Sequence, residues 1–310
     1  MKNTTKKMRK HIKKTIRANT KIKKLNSIHH KGGNNNDKYY IDCSINYDKF
    51  IATKILDNTE MRILFYGLLQ EHNINQKIVA KIMKRTKKNT NRIEYNYGKL
   101  LENIEGFIRF ICLLECKTNI HKIHNKTEET EEIEEKSICI NTGGIQKEIL
   151  ISPYYEVGSM ENFYWNETNI PIFKSCLKQI ILSFYYAYKK HRFIHNDFHY
   201  GNVLLEETNE NEIRYEYIIV ETNGYKTVIM DFDNSYIDAD VRYFWEEIMD
   251  VFEKITLYIN IVFIQKPLYD IKQLLYSLYK ENNNNIDKCF EIVGMIDLLE
   301  LDFIKQRKIH

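Results

Sequence analysis

The chain has 310 residues, with 46 Lys or Arg against 42 Asp or Glu, 43% apolar and 28% charged residues. That is enough for one large domain or two lobes around a sizeable core, and the composition is ordinary for a soluble globular protein. The net charge of +4 conceals an asymmetry: residues 1–36 carry 12 basic and no acidic residues, leaving the rest with 34 basic against 42 acidic, a net of −8. Residues 1–36 therefore read as a basic tail on an acidic body, ending in the linker Lys31-Gly32-Gly33-Asn34-Asn35-Asn36.

No run approaches the roughly 18 apolar residues that span a bilayer, and no apolar segment follows the charged N-terminus as in a signal peptide. Six cysteines stand at 43, 112, 116, 139, 176 and 289 without a Cys-x-x-Cys pair or the second pair of a zinc site. A reduced, intracellular protein, cytoplasmic or nuclear, is the expectation, with Cys112 and Cys116 as core residues.

Short apolar runs at Tyr39-Tyr40-Ile41, Phe50-Ile51-Ala52, Ile63-Leu64-Phe65-Tyr66 and Lys77–Met83 predict strands. A helix follows over Ile93–Asn103, then a strand over Phe107–Leu114. Residues 126–136, with six Glu, read as a solvated acidic insertion, and Ile149-Leu150-Ile151 as a strand ending at Ser152-Pro153. Beyond Pro153, Phe173, Leu177, Ile180, Ile181, Phe184, Tyr185 and Tyr188 recur at helical spacing behind Pro171. Residues 213–230 read as a hairpin turned at Asn223-Gly224. Residues 241–262, 268–280 and the chain end read as helical. An α+β protein follows: a strand-rich part over 37–151 and a helix-rich part over 152–310.

Chemistry concentrates in His195-Asn196-Asp197-Phe198-His199-Tyr200-Gly201-Asn202 and in Val228-Ile229-Met230-Asp231-Phe232-Asp233. Phosphoryl transfer needs a carboxylate to orient the attacking hydroxyl and hard oxygen ligands to hold Mg²⁺ on the phosphates. Asp197, Asn202 and Asp231 supply those groups. A transition-metal site at His195, Asp197 and His199 is a weaker reading, since further ligands at a recognisable spacing are missing.

The first motif resembles the protein-kinase catalytic loop His-Arg-Asp-Leu-x-x-x-Asn, with Asn196 for Arg and Phe198 for Leu; Asp231-Phe232-Asp233 resembles the metal-binding Asp-Phe-Gly. The longer string His-x-Asp-x-His-x-Gly-Asn-Val-Leu-Leu is similar to haspin kinases and to the serine/threonine kinases of large DNA viruses. It is also similar to aminoglycoside and choline phosphotransferases. Ile78-Val79-Ala80-Lys81 looks like the Val-Ala-Ile-Lys strand, and Glu94 opens the following helix.

The resemblance implies a bilobal kinase-like fold with ATP and Mg²⁺ in the cleft. Asp197 would be the catalytic base, Lys81 would sit on the phosphates held by Glu94, and Asn202 and Asp231 would be the metal ligands. Ser152, Tyr154 and Tyr155 would lie in an adenine-holding hinge spanning Ser152–Val157, ahead of the second lobe at Gly158-Ser159-Met160. The implied acceptor is a protein Ser or Thr, with a small hydroxyl-bearing molecule as the alternative and a non-catalytic pseudokinase scaffold as the rival.

Three features depart from the pattern. No Gly-x-Gly-x-x-Gly precedes Lys81; Asn196 removes the Arg that answers an activation-loop phosphate; and Trp245, already in an expected helix, stands only 14 positions after Asp231. The tail is read as a solubilising arm, a nuclear-targeting segment, or a contact for nucleic-acid phosphates or an anionic membrane; charge alone leaves these open.

Overall fold

The computed structural model describes residues 50–71, 74–84, 90–118, 132–137, 139, 144–255, 261–263, 266–299 and 301–303. The basic tail and the strand expected at Tyr39-Tyr40-Ile41 lie outside them. Tyr39–His310 form one compact unit, and the architecture is α+β.

Six strands build an antiparallel sheet: β1 (Phe50–Asn58), β2 (Arg62–Glu71), β3 (Ile74–Met83), β4 (Cys112–Thr118), β5 (Glu132–Ser137) and β6 (Ile145–Pro153), ordered β4-β6-β3-β2-β1-β5. Side-chain alternation with period two sorts these strands into two faces. Ile63, Phe65, Ile78, Ala80, Ile82, Cys112, Leu114, Cys116, Ile149 and Ile151 share one buried cluster, whereas Leu113 and Leu150 join a second cluster on the opposite face. Lys81, between Ala80 and Ile82, is thereby turned away from the first cluster. Gly67 lets β1 and β2 approach: a Cβ there would lie 2.4 Å from the Ile51 carbonyl oxygen.

Helix α1 (Thr90–Leu101) is tied to this sheet by Asn91, whose Nδ2 donates to the carbonyls of Lys81 and Glu148, both at 2.8 Å. One turn later Glu94 occupies the same helix face. Helix α2 (Ile170–His191) begins behind Pro171 and is buried almost all round, as a helix at the centre of a core must be. Its buried Gln179 is satisfied by the Thr227 N–H at 2.8 Å and the Tyr225 carbonyl at 3.0 Å. Gly106 (φ +89°) passes close beside α2, where a Cβ would fall 1.9 Å from Ser183 Oγ.

Strand β7 (Val203–Glu207) pairs with β10 (Tyr225–Ile229), while β8 (Glu212–Tyr215) and β9 (Ile218–Glu221) form a separate hairpin between them. Helices α3 (Val241–Glu253), α4 (Lys266–Lys280) and α5 (Lys288–Ile296) follow, with a short pair β11 (Ile261–Phe263) and β12 (Leu301–Phe303). Among the described residues no helix is long and apolar enough to cross a membrane.

Several expectations need correction. The acidic insertion is partly a strand: β5 pairs with β1 through the backbone, and a charge-rich sequence suits a sheet edge, where it discourages further pairing. Strand β4 starts at Cys112, not Phe107. Phe107 makes only an isolated bridge to Ile229, because residues 107–111 bond to β10 and β6 in turn. The hairpin expected over 213–230 is two pairings: Asn223 and Gly224, both at positive φ, join β9 to β10, but β10's partner is β7. The helix expected to reach 262 ends at Glu253, and 261–263 is a strand. Cys116 is bonded to Cys139, with Cα atoms 5.6 Å apart. That overturns the expectation of reduced cysteines at this point, while Cys176 and Cys289 are free thiols in the core and Cys112 is buried as expected.

Candidate active site

The β7–β10 pair delivers both chemical motifs to one place. Residues 195–202 precede β7 and Asp231 follows β10, and the two stretches are laced together: the Met230 N–H donates to the Asn202 carbonyl at 2.9 Å, and His195 Nε2 lies 2.8 Å from the Met230 carbonyl. A carbonyl partner requires the proton on Nε2. Burial holds the His195 pKa below its ordinary value despite that bond, so the ring is neutral. Phe232 is fully buried against Phe107, Phe110, Phe193 and His195. Asp231 is thus anchored by its neighbour while adopting φ +69°. Asn196 also has positive φ (+61°), which Asn tolerates better than most residues.

From below, α3 holds the loop. Glu247, buried, accepts the backbone N–H of His195 at 3.1 Å and of Asn196 at 3.0 Å. Burial pushes its carboxyl up to about 8, against the pull of those two donors. The Tyr200 hydroxyl donates to the Val251 carbonyl at 2.6 Å, and Lys254 Nζ donates to the carbonyl of Phe198. These contacts leave the Asp197 side chain exposed, with Oδ2 accepting from Asn234 Nδ2 at 2.9 Å. Asn202 Nδ2 donates to the Asp197 carbonyl at 3.1 Å, which orients the amide and leaves its oxygen, Oδ1, without a hydrogen bond.

The sheet adds the cations. Lys81 Nζ lies 2.7 Å from Glu94 Oε2 and 2.6 Å from Asp231 Oδ1, joining β3, α1 and the residue after β10. Burial opposes charge on Lys81, but the two carboxylates outweigh it and raise its pKa. Glu94, fully buried, is raised toward 7 by desolvation against the attraction of Lys81. Asp231 moves the other way: burial would raise it, yet Lys81 and Arg62 hold it below the ordinary carboxylate range. Asp233 is raised, by burial first and then by the charge of Asp231, and it also responds to Lys81, Asp197 and Arg62. Asp197, Asp231, Asp233, Lys81 and Arg62 therefore share one electrostatic neighbourhood.

Ser152 pairs with Val79 in the sheet, the Tyr154 N–H donates to the Lys77 carbonyl at 3.0 Å, and the Tyr154 ring meets Tyr66 edge-on at 4.8 Å. Tyr154 and Tyr155 also line a groove of about 1170 Å³ with Phe163, Glu206 and Tyr225. None of Lys81, Glu94, Asp197, Asn202 or Asp231 borders it, so it is separate from the acidic centre. Tyr155 is raised to about 12 by burial and by Glu206.

Among the described residues no group of three or more His, Cys, Asp or Glu side chains is arranged to hold a metal, so His195, Asp197 and His199 do not converge on one. That removes the transition-metal reading of His195, Asp197 and His199. An Mg²⁺ site asks for less: one or two protein oxygens, the rest coming from phosphates and water. Asp231, kept anionic, and the Asn202 Oδ1 fit that demand.

Arg62, Glu247 and Asn234 join the site without belonging to either sequence motif. Glu247 left a signal, being a carboxylate on the helix stripe Phe244, Ile248, Val251 that is otherwise apolar. Arg62 left none, because its place depends on strand register. No protein-family model matches this chain, and no curated protein matches it significantly.

Proposed function

We propose that the chain is a protein-kinase-like phosphotransferase that moves the γ-phosphoryl group of ATP to a hydroxyl acceptor, with a protein Ser or Thr as the acceptor class. The observation that carries this reading is the junction of Lys81 with both Glu94 and Asp231, beside the exposed Asp197 and the oriented Asn202. Residues from four separate stretches supply a phosphate cation, its carboxylate brace, two hard oxygen ligands and an accessible base.

On this reading Asp197 orients the acceptor hydroxyl and takes its proton as the new O–P bond forms; the bond to the β,γ-bridging oxygen breaks and ADP leaves. Asn234, 2.9 Å from Asp197 Oδ2, holds the carboxylate in position and leaves Oδ1 for the proton. Asp231 and Asn202 would hold Mg²⁺, which when bound neutralises the β- and γ-phosphate oxygens. Lys81 turns from Asp231 toward the phosphates, with Glu94 keeping it charged and aimed.

A small-molecule acceptor is the second reading, and one observation favours it: only residues 232–240 separate Asp231 from α3, which leaves little chain for a peptide platform. Purified protein given γ-labelled ATP and Mg²⁺, with basic and acidic protein acceptors in one series and small alcohols in another, tests both readings. Transfer that Asp197→Asn abolishes supports the proposal and the successful series names the acceptor. No transfer to either series, including the protein itself, refutes it in favour of a non-catalytic scaffold.

A further inference from the structure

We propose that Arg62, the first residue of β2, is the phosphate-binding residue of the cleft roof, doing with its guanidinium what a glycine-rich turn does with backbone amides. The inference rests on the phosphotransferase reading and names how that site grips its nucleotide.

A phosphate-covering turn works through free N–H groups, and glycine permits the backbone to come close enough to use them. The β1–β2 connection, Thr59-Glu60-Met61, contains no glycine and spends the amides of Thr59 and Met61 internally, as β2 does that of Arg62. The Thr59 N–H donates to the Arg62 carbonyl at 3.0 Å. Those of Met61 and Arg62 donate to the Thr59 hydroxyl at 3.3 and 3.2 Å. Lys84 reinforces the closure, its N–H donating to the Met61 carbonyl at 2.9 Å and its ammonium to Asn58 and the Thr59 carbonyl. A turn wired this way cannot offer those three amides to a phosphate.

What it offers instead is a tethered cation. Arg62 Nε donates to Asp57 Oδ2 on β1 at 3.2 Å, and Nη1 reaches Asp231 Oδ2 at 3.4 Å. Lys81 takes the other oxygen of the same carboxylate. Register explains the pairing of roles: Leu64 lies opposite Lys81, and Arg62, two residues before Leu64, projects from the same sheet face. When Asp231 turns to a metal ion, Lys81 keeps Glu94 and Arg62 keeps Asp57, but each loses the acceptor they share. Phosphate oxygens are the replacement that serves both, and a guanidinium fork suits them. Asp57 holds one edge of that fork, so Asp57 is a positioning residue.

Calorimetry on the full chain with MgATP, MgADP and adenosine tests this. Arg62→Ala is expected to weaken MgATP binding by about 10- to 100-fold, the loss of one charge-assisted contact, while adenosine affinity is unchanged. Arg62→Lys, which keeps the charge without the fork, recovers part of the loss. Unchanged MgATP affinity in Arg62→Ala, with binding lost in Lys81→Ala, overturns the role of Arg62 alone. An equal fall for ATP and adenosine also overturns it, since Arg62 would then only shape the roof. Failure of the unaltered chain to bind MgATP overturns the phosphotransferase reading together with this one.

Discussion

Glu247→Gln isolates the carboxylate beneath the loop at 195–202. In the native chain Glu247 faces the N–H groups of His195 and Asn196, and burial raises its carboxyl from an ordinary 4.5 to about 8. The folded state therefore binds this proton more tightly than the unfolded state. The stability so gained is fully present below about pH 4.5 and drains away as pH rises through 8. Each pH unit inside that window is worth at most about 1.4 kcal/mol, so the whole window carries on the order of 4–5 kcal/mol. Glutamine cannot titrate, and because its Nε2 cannot accept, it gives up one of the two N–H bonds at every pH. Urea unfolding at half-unit steps from pH 5 to 8.5 should therefore show a stability difference between the two chains that changes with pH. The native chain should lose stability relative to Glu247→Gln as pH climbs. Parallel curves would refute the reasoning, because they would mean that the carboxyl titrates alike folded and unfolded.

Lys81→Met leaves Glu94 buried without its cation and should cost about 3–5 kcal/mol in urea unfolding, as removal of one partner from a buried pair does. The double change Lys81→Met with Glu94→Leu should recover most of it, and a loss equal to the sum of the single changes would show that the pair is not coupled. Asp197→Asn should leave stability within about 0.5 kcal/mol, since Asp197 is exposed, while lowering phosphoryl transfer by roughly 10²- to 10⁴-fold in the labelled-ATP assay. Alkylation under non-reducing denaturing conditions, read by mass spectrometry, should label Cys176 and Cys289 but not Cys116 or Cys139. Reduction should cost about 2–4 kcal/mol of stability, the loss of a cross-link closing a loop of 23 residues.

How much of this was legible depends on how local each feature is. Helix α2 could be read from Phe173 to Tyr188 because one buried helix repeats its signal along the chain. Strand β3 could be read because Ile78-Val79-Ala80-Lys81-Ile82-Met83 is a short, mostly apolar run bounded by polar residues. The pairing of β10 could not. Asn223-Gly224 carries the local signature of a hairpin, but β10 pairs with β7 and is further held by Gln179 and Gly106, both distant in sequence. The acidic stretch misled for the opposite reason: composition reports solvation, and an edge strand is solvated while still hydrogen-bonded through its backbone.

The same distinction separates the site residues found in the sequence from those missed. Asp197, Asn202 and Asp231 sit in contiguous motifs, where identity and spacing are visible together. Glu94 reaches Lys81 because Asn91, three residues earlier, pins the helix to β3, a local arrangement with a readable period. Arg62 and Lys81 meet only after the β2–β3 register is set. Charge gives a reason for Arg62 that no motif supplies. Glu94 and Asp231 both pair with Lys81 and Asp233 lies within its field, and with Lys81 as the sole cation Asp231 would share its counter-charge with Glu94. Arg62 gives Asp231 a second cation, which keeps the carboxylate ionised in a setting whose burial favours the acid. An ionised Asp231 is what a magnesium ion requires, so the residue that the motifs omit is one that keeps their chemistry available.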